Sequence, residues 1–316
     1  YGSRTRSDKR ECRMSAAGPP QGAKLIFPVS IIGVGNMGGA MAARLGSLGW
    51  SPRVFDLERA KAKSLERFGA LAPESAVSTA TETIVTIICV VDAAQTRDVL
   101  FGSQGIASHL QPGHVVVLCP TISPDAVQTL ASQLALLGVD TLDAPMSGGP
   151  QRARDGSMSL MLAGTDAVVA KVQPLLDALS NQLFHISEQL GDAARTKLVN
   201  NLLAGINLVG AAEVMALARR LGLDATRTLD VIAQSSGQSW IGMDRMRRAV
   251  AGDFAPRAHM TLLAKDTALA QDAARSVGFE GPLGALASQV FAAALQSGLA
   301  DLDDAALLPF LERRLP

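Results

Sequence analysis

Apolar residues fall into two patterns along the first 190 positions: short β-branched runs and rows spaced for a helix, in alternation. Val29 to Ile32 is the first run. It leads into Gly33-Val34-Gly35-Asn36-Met37-Gly38. Met37, Met41, Leu45 and Leu48 then recur at spacings of four, four and three, which predicts a helix closed by Gly49. Arg53 to Phe55 reads as a second strand ending at Asp56, and Ala60 to Phe68 as the next helix. Thr83 to Val91 and Val115 to Cys119 are rich in Ile and Val, as strands buried on both faces are. Pro124 to Leu137 predicts a helix. Val139 to Leu142, Ser157 to Leu162 and Gln182 to Ile186 predict three further strands in the same sheet. Strands alternating with helices imply an α/β fold, a doubly wound parallel sheet with right-handed crossovers.

The pattern changes near Gly191. From Asp192 onward no strand is convincing, and Ala193 to Leu221 reads as one long helix stopped by Gly222. Helices over Asp224 to Ala233, Met243 to Val250, Leu262 to Val277, Pro282 to Gln296 and Asp303 to Leu311 follow. The expected division is a disordered tail over residues 1–27, a sheet domain over 28–190 and an all-helical domain over 191–316, joined by a long interdomain helix. Within the tail, residues 1–24 carry six basic and two acidic side chains and no apolar core of a secretory signal. Their Arg content also fits a transit-peptide remnant, against which Asp8 and Glu11 count. A cytoplasmic setting is expected, with the mitochondrial matrix as the alternative.

Composition narrows the function. A chain of 316 residues is long for one core, which favours two domains. With 48% hydrophobic and 18% charged residues it is a folding sequence. Lys plus Arg and Asp plus Glu number 29 each, so nothing attracts a nucleic acid or an anionic membrane, and neither is expected as a partner. Aromatics at 4% exclude a stacking platform for single strands. Cys12, Cys89 and Cys119 have neither disulfide-framework nor zinc spacing, and the four histidines are scattered, so no metal is expected. Cys89 and Cys119 lie in predicted strands and read as buried small hydrophobes. The apolar run Ile84 to Val91 is too short to span a bilayer. Lys197 to Leu217 is greasy but carries Asn200, Asn201, Asn207 and Glu213, which fits a helix buried between protein surfaces.

Four stretches carry chemistry. Gly33-x-Gly35-x-x-Gly38 stands between strand and helix. Its first glycine allows the tight turn, the second lets a pyrophosphate approach the backbone, and the third lets helix and strand pack. Asn36 and Met37 open a helix whose free N–H groups and dipole favour phosphate. Asp56, 23 positions after Gly33, is placed to accept both hydroxyls of a ribose and to repel a 2′-phosphate. That argues for NAD, while Arg59 and Lys61 close behind keep NADP as the alternative. The domain over residues 28–190 therefore reads as Rossmann-type and dinucleotide-binding. Asp143-Ala-Pro-Met-Ser147-Gly148-Gly149-Pro150 follows a strand, at the sheet edge where ligands bind. Ser147, Gly148 and Gly149 offer a hydroxyl and unhindered N–H groups to a small carboxylate, although a plain Gly-rich connection has the same pattern. Lys197 and Asn201 are four apart and share a helical face. A Lys there can protonate a carbonyl under reduction, or it can simply snorkel. A free Lys stays charged near neutral pH, and burial between domains would lower its pKa. Lys265-Asp266 alone is an ordinary surface pair.

In combination, Gly-Val-Gly-Asn-Met-Gly-Gly-Ala-Met-Ala, Asp-Ala-Pro-Met-Ser-Gly-Gly, Lys-Leu-Val-Asn-Asn and Lys-Asp-Thr-Ala-Leu-Ala strongly resemble the β-hydroxyacid dehydrogenase family, in the family's order, over residues 29–316. The resemblance implies hydride transfer between NAD or NADP and a small 3-hydroxy acid or semialdehyde, of the 3-hydroxyisobutyrate or 2-hydroxy-3-oxopropionate kind. It implies that Ser147, Gly148 and Gly149 hold the substrate carboxylate. Lys197 would be proton donor and acceptor, and Asn201 would hold substrate or orient Lys197. Lys265 would reach the cofactor, with Asp266 fixing it. Val90 and Val91 stand where the family has Leu-Pro and would line the cofactor through backbone. Thr121 is kept, but Pro120 replaces a Ser and Ala193 a Gly. The family also implies a homodimer or homotetramer, and the long apolar helix of the 191–316 substrate and dimerisation domain fits that.

Related readings compete. The helical domain of a 6-phosphogluconate dehydrogenase is larger, and an imine reductase usually differs at the position of Lys197. Gly237-Gln-Ser-Trp240 and Asp253-Phe-Ala-Pro-Arg257 resemble the L-threonate branch of sugar-acid dehydrogenases, whereas Asn200-Asn201 fit the hydroxyisobutyrate branch. Ser236, Gln238 and Trp240 face either substrate or, for Trp240, the core. Arg152 and Arg154 read first as solvated loop charges. A non-catalytic binding module on the same fold is disfavoured by the presence of Lys197.

Overall fold

The structure, a computed structural model, describes residues 26–314. The first half runs β1 (Val29–Ile32), α1 (Asn36–Ser47), β2 (Arg53–Phe55), α2 (Arg59–Ser64), α3 (Ala76–Ala80), β3 (Val85–Ile88), α4 (Ala93–Phe101) and β4 (Val115–Leu118). It continues through α5 (Pro124–Ala135), β5 (Asp140–Asp143), β6 (Met146–Ser147), α6 (Gly149–Asp155), β7 (Ser159–Ala163), α7 (Asp166–Leu179) and β8 (Gln182–Ser187). The sheet order is β2-β1-β3-β4-β5-β7-β6, with β8 beside β7. The first five strands are parallel, and the order reverses about β1, which puts a ligand crevice at the carboxyl ends of β1 and β3.

Alternation along the strands fills both faces. Ile31, Ile87 and Val117 join one core, and Ile32, Ile88 and Leu118 the other. Each such fully buried side chain contributes about 1.5–3 kcal/mol.

Three expectations are corrected here. The sheet is not parallel throughout, because β7 runs antiparallel to both β5 and β6 before β8 resumes parallel to β7. The chain between β5 and β7 is spent on the Ser-Gly-Gly turn and the seven-residue α6, too short a crossover to return to the starting edge. The single helix expected over Ala60 to Phe68 breaks into α2 and a 3₁₀ turn, Glu66–Phe68, ended by Gly69 at φ +83°. The expected tail of 1–27 lies outside the described residues up to residue 25, and its last residue is packed. Phe27 meets Trp50 edge-on, with ring centroids 5.2 Å apart.

The second half is helical: α8 (Asp192–Arg220), α9 (Ala225–Ala233), α10 (Trp240–Val250), α11 (Met260–Ser276), α12 (Pro282–Gln296) and α13 (Leu307–Arg314). Asp192 in the first turn of α8 and Arg219 and Arg220 in the last suit its dipole. Its first turns pack on α5, β5, β7 and β8, and its remainder on α9 to α13. There Leu208, Met215, Met246, Met260 and Phe291 form a separate core. Among the described residues α8 is the one helix long and apolar enough, by length and composition alone, to cross a membrane. One side of it is the seam of this helical core. The other leaves Val199, Leu203, Val214 and Leu217 exposed at helical spacing.

Candidate active site

The glycine turn is dictated by close approach. Gly33 has φ +89°, and a Cβ on it would lie 2.6 Å from the Cys89 carbonyl oxygen. A Cβ on Gly38 would lie 2.0 Å from the Gly33 carbonyl oxygen. At Gly35 a Cβ would meet nothing within 4 Å, so the space in front of α1 is open at the residue that a pyrophosphate must approach. Helix α1 begins without a side-chain cap, which leaves its first N–H groups available to an anion. Asn36 and Met37 stand in that first turn. The residues therefore fit a dinucleotide.

Asp56 is fixed beside this turn. Its Oδ2 accepts from Val34 N at 2.8 Å and its Oδ1 from Glu58 N at 2.9 Å. Arg59 turns away from it. Its guanidinium donates to the carbonyls of Pro73 and Ala72 at 2.6 and 3.0 Å and lies over the Phe55 ring. Lys61 pairs with Glu58 at 2.7 Å. Val90 touches the Gly33 turn, and Val91 N donates to Gln95 Oε1. Both lie at the carboxyl end of β3, beside the crevice.

Lys197 is in the second turn of α8 and only 7% exposed. Burial pulls its pKa down to about 8, against the raising influence of Asp266, while Lys265 lowers it further. Among the described residues nothing accepts a hydrogen bond from its ammonium. One turn on, Asn201 Nδ2 donates to Asp266 Oδ2 at 2.6 Å, and Asn201 Oδ1 accepts from Asn200 at 3.0 Å. Lys265 Nζ donates to Asp266 Oδ1 at 2.7 Å and to the Thr121 carbonyl at 2.5 Å. The Lys265-Asp266 pair is thus no surface pair. Asp266 is buried and holds α8 to α11, and Lys265 ties α11 to the loop after β4.

Ser147 ends β6, and Gly148 and Gly149 begin α6 with φ +124° and +74°. An open cavity of about 370 Å³ lies between this turn and α8. Ser147, Ser159, Thr196 and Asn200 form its polar wall, and Met161, Phe184 and Ile186 its apolar one. Arg152 folds its aliphatic stem against Gly148. Ser236, Gln238 and Trp240 are exposed, and Trp240 packs on Arg245 instead of entering the core. No group of three or more His, Cys, Asp or Glu among the described residues is arranged for a metal.

Two residues left unassigned by the motifs emerge at the start of α8. The Asp143 carboxylate accepts from Gly191 N and Ala194 N, and Gln128 Nε2 donates to the Leu190 carbonyl. Burial pushes Asp143 up to about 6, against the two N–H donors.

The chain is similar to known proteins in sequence and in fold. Residues 28–187 match the family described as the NAD binding domain of 6-phosphogluconate dehydrogenase. Residues 191–311 match the one described as NAD-binding of NADP-dependent 3-hydroxyisobutyrate dehydrogenase. L-threonate dehydrogenase of Escherichia coli (strain K12) is 34% identical over 283 residues, 89% of this chain and 94% of its own. 3-Hydroxyisobutyrate dehydrogenase of Pseudomonas aeruginosa is 33% identical over 272 residues, 83% and 90% of the two chains. The crystal structure of 3-hydroxyisobutyrate dehydrogenase from Salmonella typhimurium has a TM-score of 0.84 at 36% identity, covering 90% of this chain and 99% of that one. A dinucleotide cradle and a hydroxyacid-dehydrogenase likeness over both halves define an NAD(P)-dependent oxidoreductase. The chain belongs to the β-hydroxyacid dehydrogenase family.

Proposed function

We propose that the chain interconverts a small 3-hydroxy acid and its oxo acid or semialdehyde, with Lys197 as the proton-transfer residue. Bound NAD(P) supplies or accepts the hydride. The chain anchors, orients and moves the proton. The Ser147 hydroxyl and the N–H groups of Gly148 and Gly149 hold the substrate carboxylate. In oxidation the neutral Lys197 amine takes the hydroxyl proton as the hydride leaves carbon; in reduction the ammonium returns it to the carbonyl oxygen. The observation that carries this reading is the buried Lys197 side chain, whose ammonium finds no acceptor among the described residues, beside the hydrogen-bonded Asn201–Asp266–Lys265 chain. Asn201 Nδ2 is tied to Asp266 and its Oδ1 to Asn200, which fixes the amide one turn from Lys197 and leaves one N–H and one lone pair for substrate.

NAD is the preferred cofactor in this reading, since Asp56 would face the ribose and Arg59 is drawn to the 72–73 carbonyls. Gly33, Gly35, Gly38, Val90, Val91, Thr121 and Lys265 complete its site. A second reading takes a sugar acid of the L-threonate type. The likeness to L-threonate dehydrogenases favours it. The exposed row on α8 supports a homodimer or homotetramer, and the free thiols of Cys89 and Cys119 support a cytoplasmic compartment.

The test is initial rates with NAD and NADP over 3-hydroxyisobutyrate, L-threonate, L-serine and 2-hydroxy-3-oxopropionate. Lys197→Ala is expected to lower kcat by roughly 10² to 10⁴ with dinucleotide Kd unchanged, and Lys197→Arg should not rescue it. Near-full turnover in Lys197→Ala would remove the assignment. Asp56→Ala should narrow a preference for NAD; a wild-type preference for NADP in kcat/KM would refute the reading of Asp56.

A further inference from the structure

We propose that Asp143, with Gln128, is a positioning residue: it clamps the start of α8 to the sheet and so sets Lys197 at a fixed distance from the substrate-carboxylate turn. This rests on Lys197 being the proton-transfer residue. Helix α8 is 29 residues long, yet its N-cap is Gly191, at φ +96°, with no side chain to offer. Its first N–H groups lie inside the protein and need acceptors. Asp143 supplies one from 48 and 51 residues away: a single oxygen, Oδ2, accepts from Gly191 N at 3.1 Å and from Ala194 N at 3.0 Å. From another element, α5, Gln128 donates to the Leu190 carbonyl at 3.0 Å. A Cβ on Gly191 would sit 3.3 Å from both Gln128 Nε2 and the Pro124 carbonyl oxygen. The link is held by two elements, β5 and α5.

Asp143 also begins the stretch that ends in the carboxylate turn, with Ser147 four residues on. One end of that stretch holds the first turn of α8; the other holds the substrate. Lys197 follows Ala194 by three residues, less than one turn, so any slip of the first turn moves its Nζ. Asp266 and Lys265 arrive from α11, but the spacing of proton donor and carboxylate anchor is set where the first turn of α8 meets the sheet half. Stability calls for an acceptor at this position but gives no reason for a charged one. Burial opposes its charge and Asp192 adds to that, while the two N–H donors and Arg195 offset it; the Cys119 thiol is the other titratable group facing it.

The experiment compares Asp143→Ala, Asp143→Asn, Gln128→Ala and Lys197→Ala, each with saturating dinucleotide and the best substrate of the panel. It reads kcat, dinucleotide Kd and the thermal midpoint. Asp143→Ala is expected to lose about tenfold or more in kcat with Kd within about twofold, since small misplacements of a reacting group are costly. Asp143→Asn, whose amide oxygen can accept both N–H groups, should recover kcat to within about threefold, with a midpoint at or above wild type. A folded Asp143→Ala with wild-type kcat, or Ala and Asn equally impaired, overturns the proposal. If Asp143→Ala does not fold, Gln128→Ala decides: a kcat at least about threefold down at unchanged Kd supports the clamp, and wild-type kcat overturns it. Failure of the underlying reading shows separately, as turnover retained in Lys197→Ala.

Discussion

If Lys197 moves the proton, the two directions of the reaction must depend on pH in mirror image. Burial brings its pKa from 10.5 to about 8. At pH 7 that leaves roughly one side chain in ten neutral, against roughly one in three thousand for a free lysine, a gain of about 300-fold in the base form. Oxidation needs the amine, so log kcat/KM should rise with unit slope up to about pH 8 and then level. Reduction needs the ammonium, so its kcat/KM should be flat up to the same pH and fall beyond it. Asp143, at about 6, titrates far enough below to be told apart. The assay is dinucleotide absorbance at about ten pH values from roughly 6 to 10, in both directions and with constant ionic strength. An oxidation profile flat across that range, or a limb near pH 8 that survives in Lys197→Ala, would refute the reasoning.

Three further outcomes are expected. Asp266→Asn removes the carboxylate that raises the Lys197 pKa, so the oxidation limb should move to lower pH; movement to higher pH would contradict the assigned sign. Lys197→Met should lose turnover yet gain up to about 3 kcal/mol of stability at pH 7, because a buried ammonium is no longer needed. The gain should shrink between about pH 8 and 10.5, where the unfolded wild type holds a proton that its folded form has released and its own stability therefore rises; a gain constant in pH would exclude burial of the charge as the cause. Sedimentation at micromolar concentration should show a species at least twice 32.9 kDa, and a monomer alone would rule out the α8 row as a self-association surface.

Local signals explain what was legible. The strand–glycine turn–helix–strand–Asp56 unit lies within 28 residues, Val29 to Asp56, and each of its parts has its own periodicity or turn chemistry. Helix α12, from Pro282 to Gln296, was readable to the residue because Pro marks its first position. Helix α7 was missed although Val168, Val172, Leu175 and Leu179 are helically spaced, because Pro174 inside it argues against a helix. Helices α3 and α4 carry cap signals at Ser75 and Asp92 but few apolar positions. The direction of β7 depends on how the sheet closes, which no single strand encodes. In the site, Lys197 and Asn201 were readable as one helical face. The bond from Asn201 to Asp266 was not, because the two are 65 residues apart, and Lys265-Asp266 alone reads as a surface pair. Asp143 hid in the same way, since the amides it serves belong to another element.

Helix α8 is shared by both halves of the molecule, and that makes its length a phase angle. Each residue advances an α-helix by about 100° and 1.5 Å. One residue inserted between Asn201 and Gly205 would therefore leave Lys197 where the sheet holds it and swing everything beyond, α11 included, by over a quarter turn. Asp266 would then point away from Asn201, and Lys265 would lose the Thr121 carbonyl. Seven residues would nearly restore the angle but push the helical half about 10 Å along the axis. Loops such as that between α9 and α10 can drift in length; this rod cannot, and its residue count works as a gear setting between cofactor half and helical half.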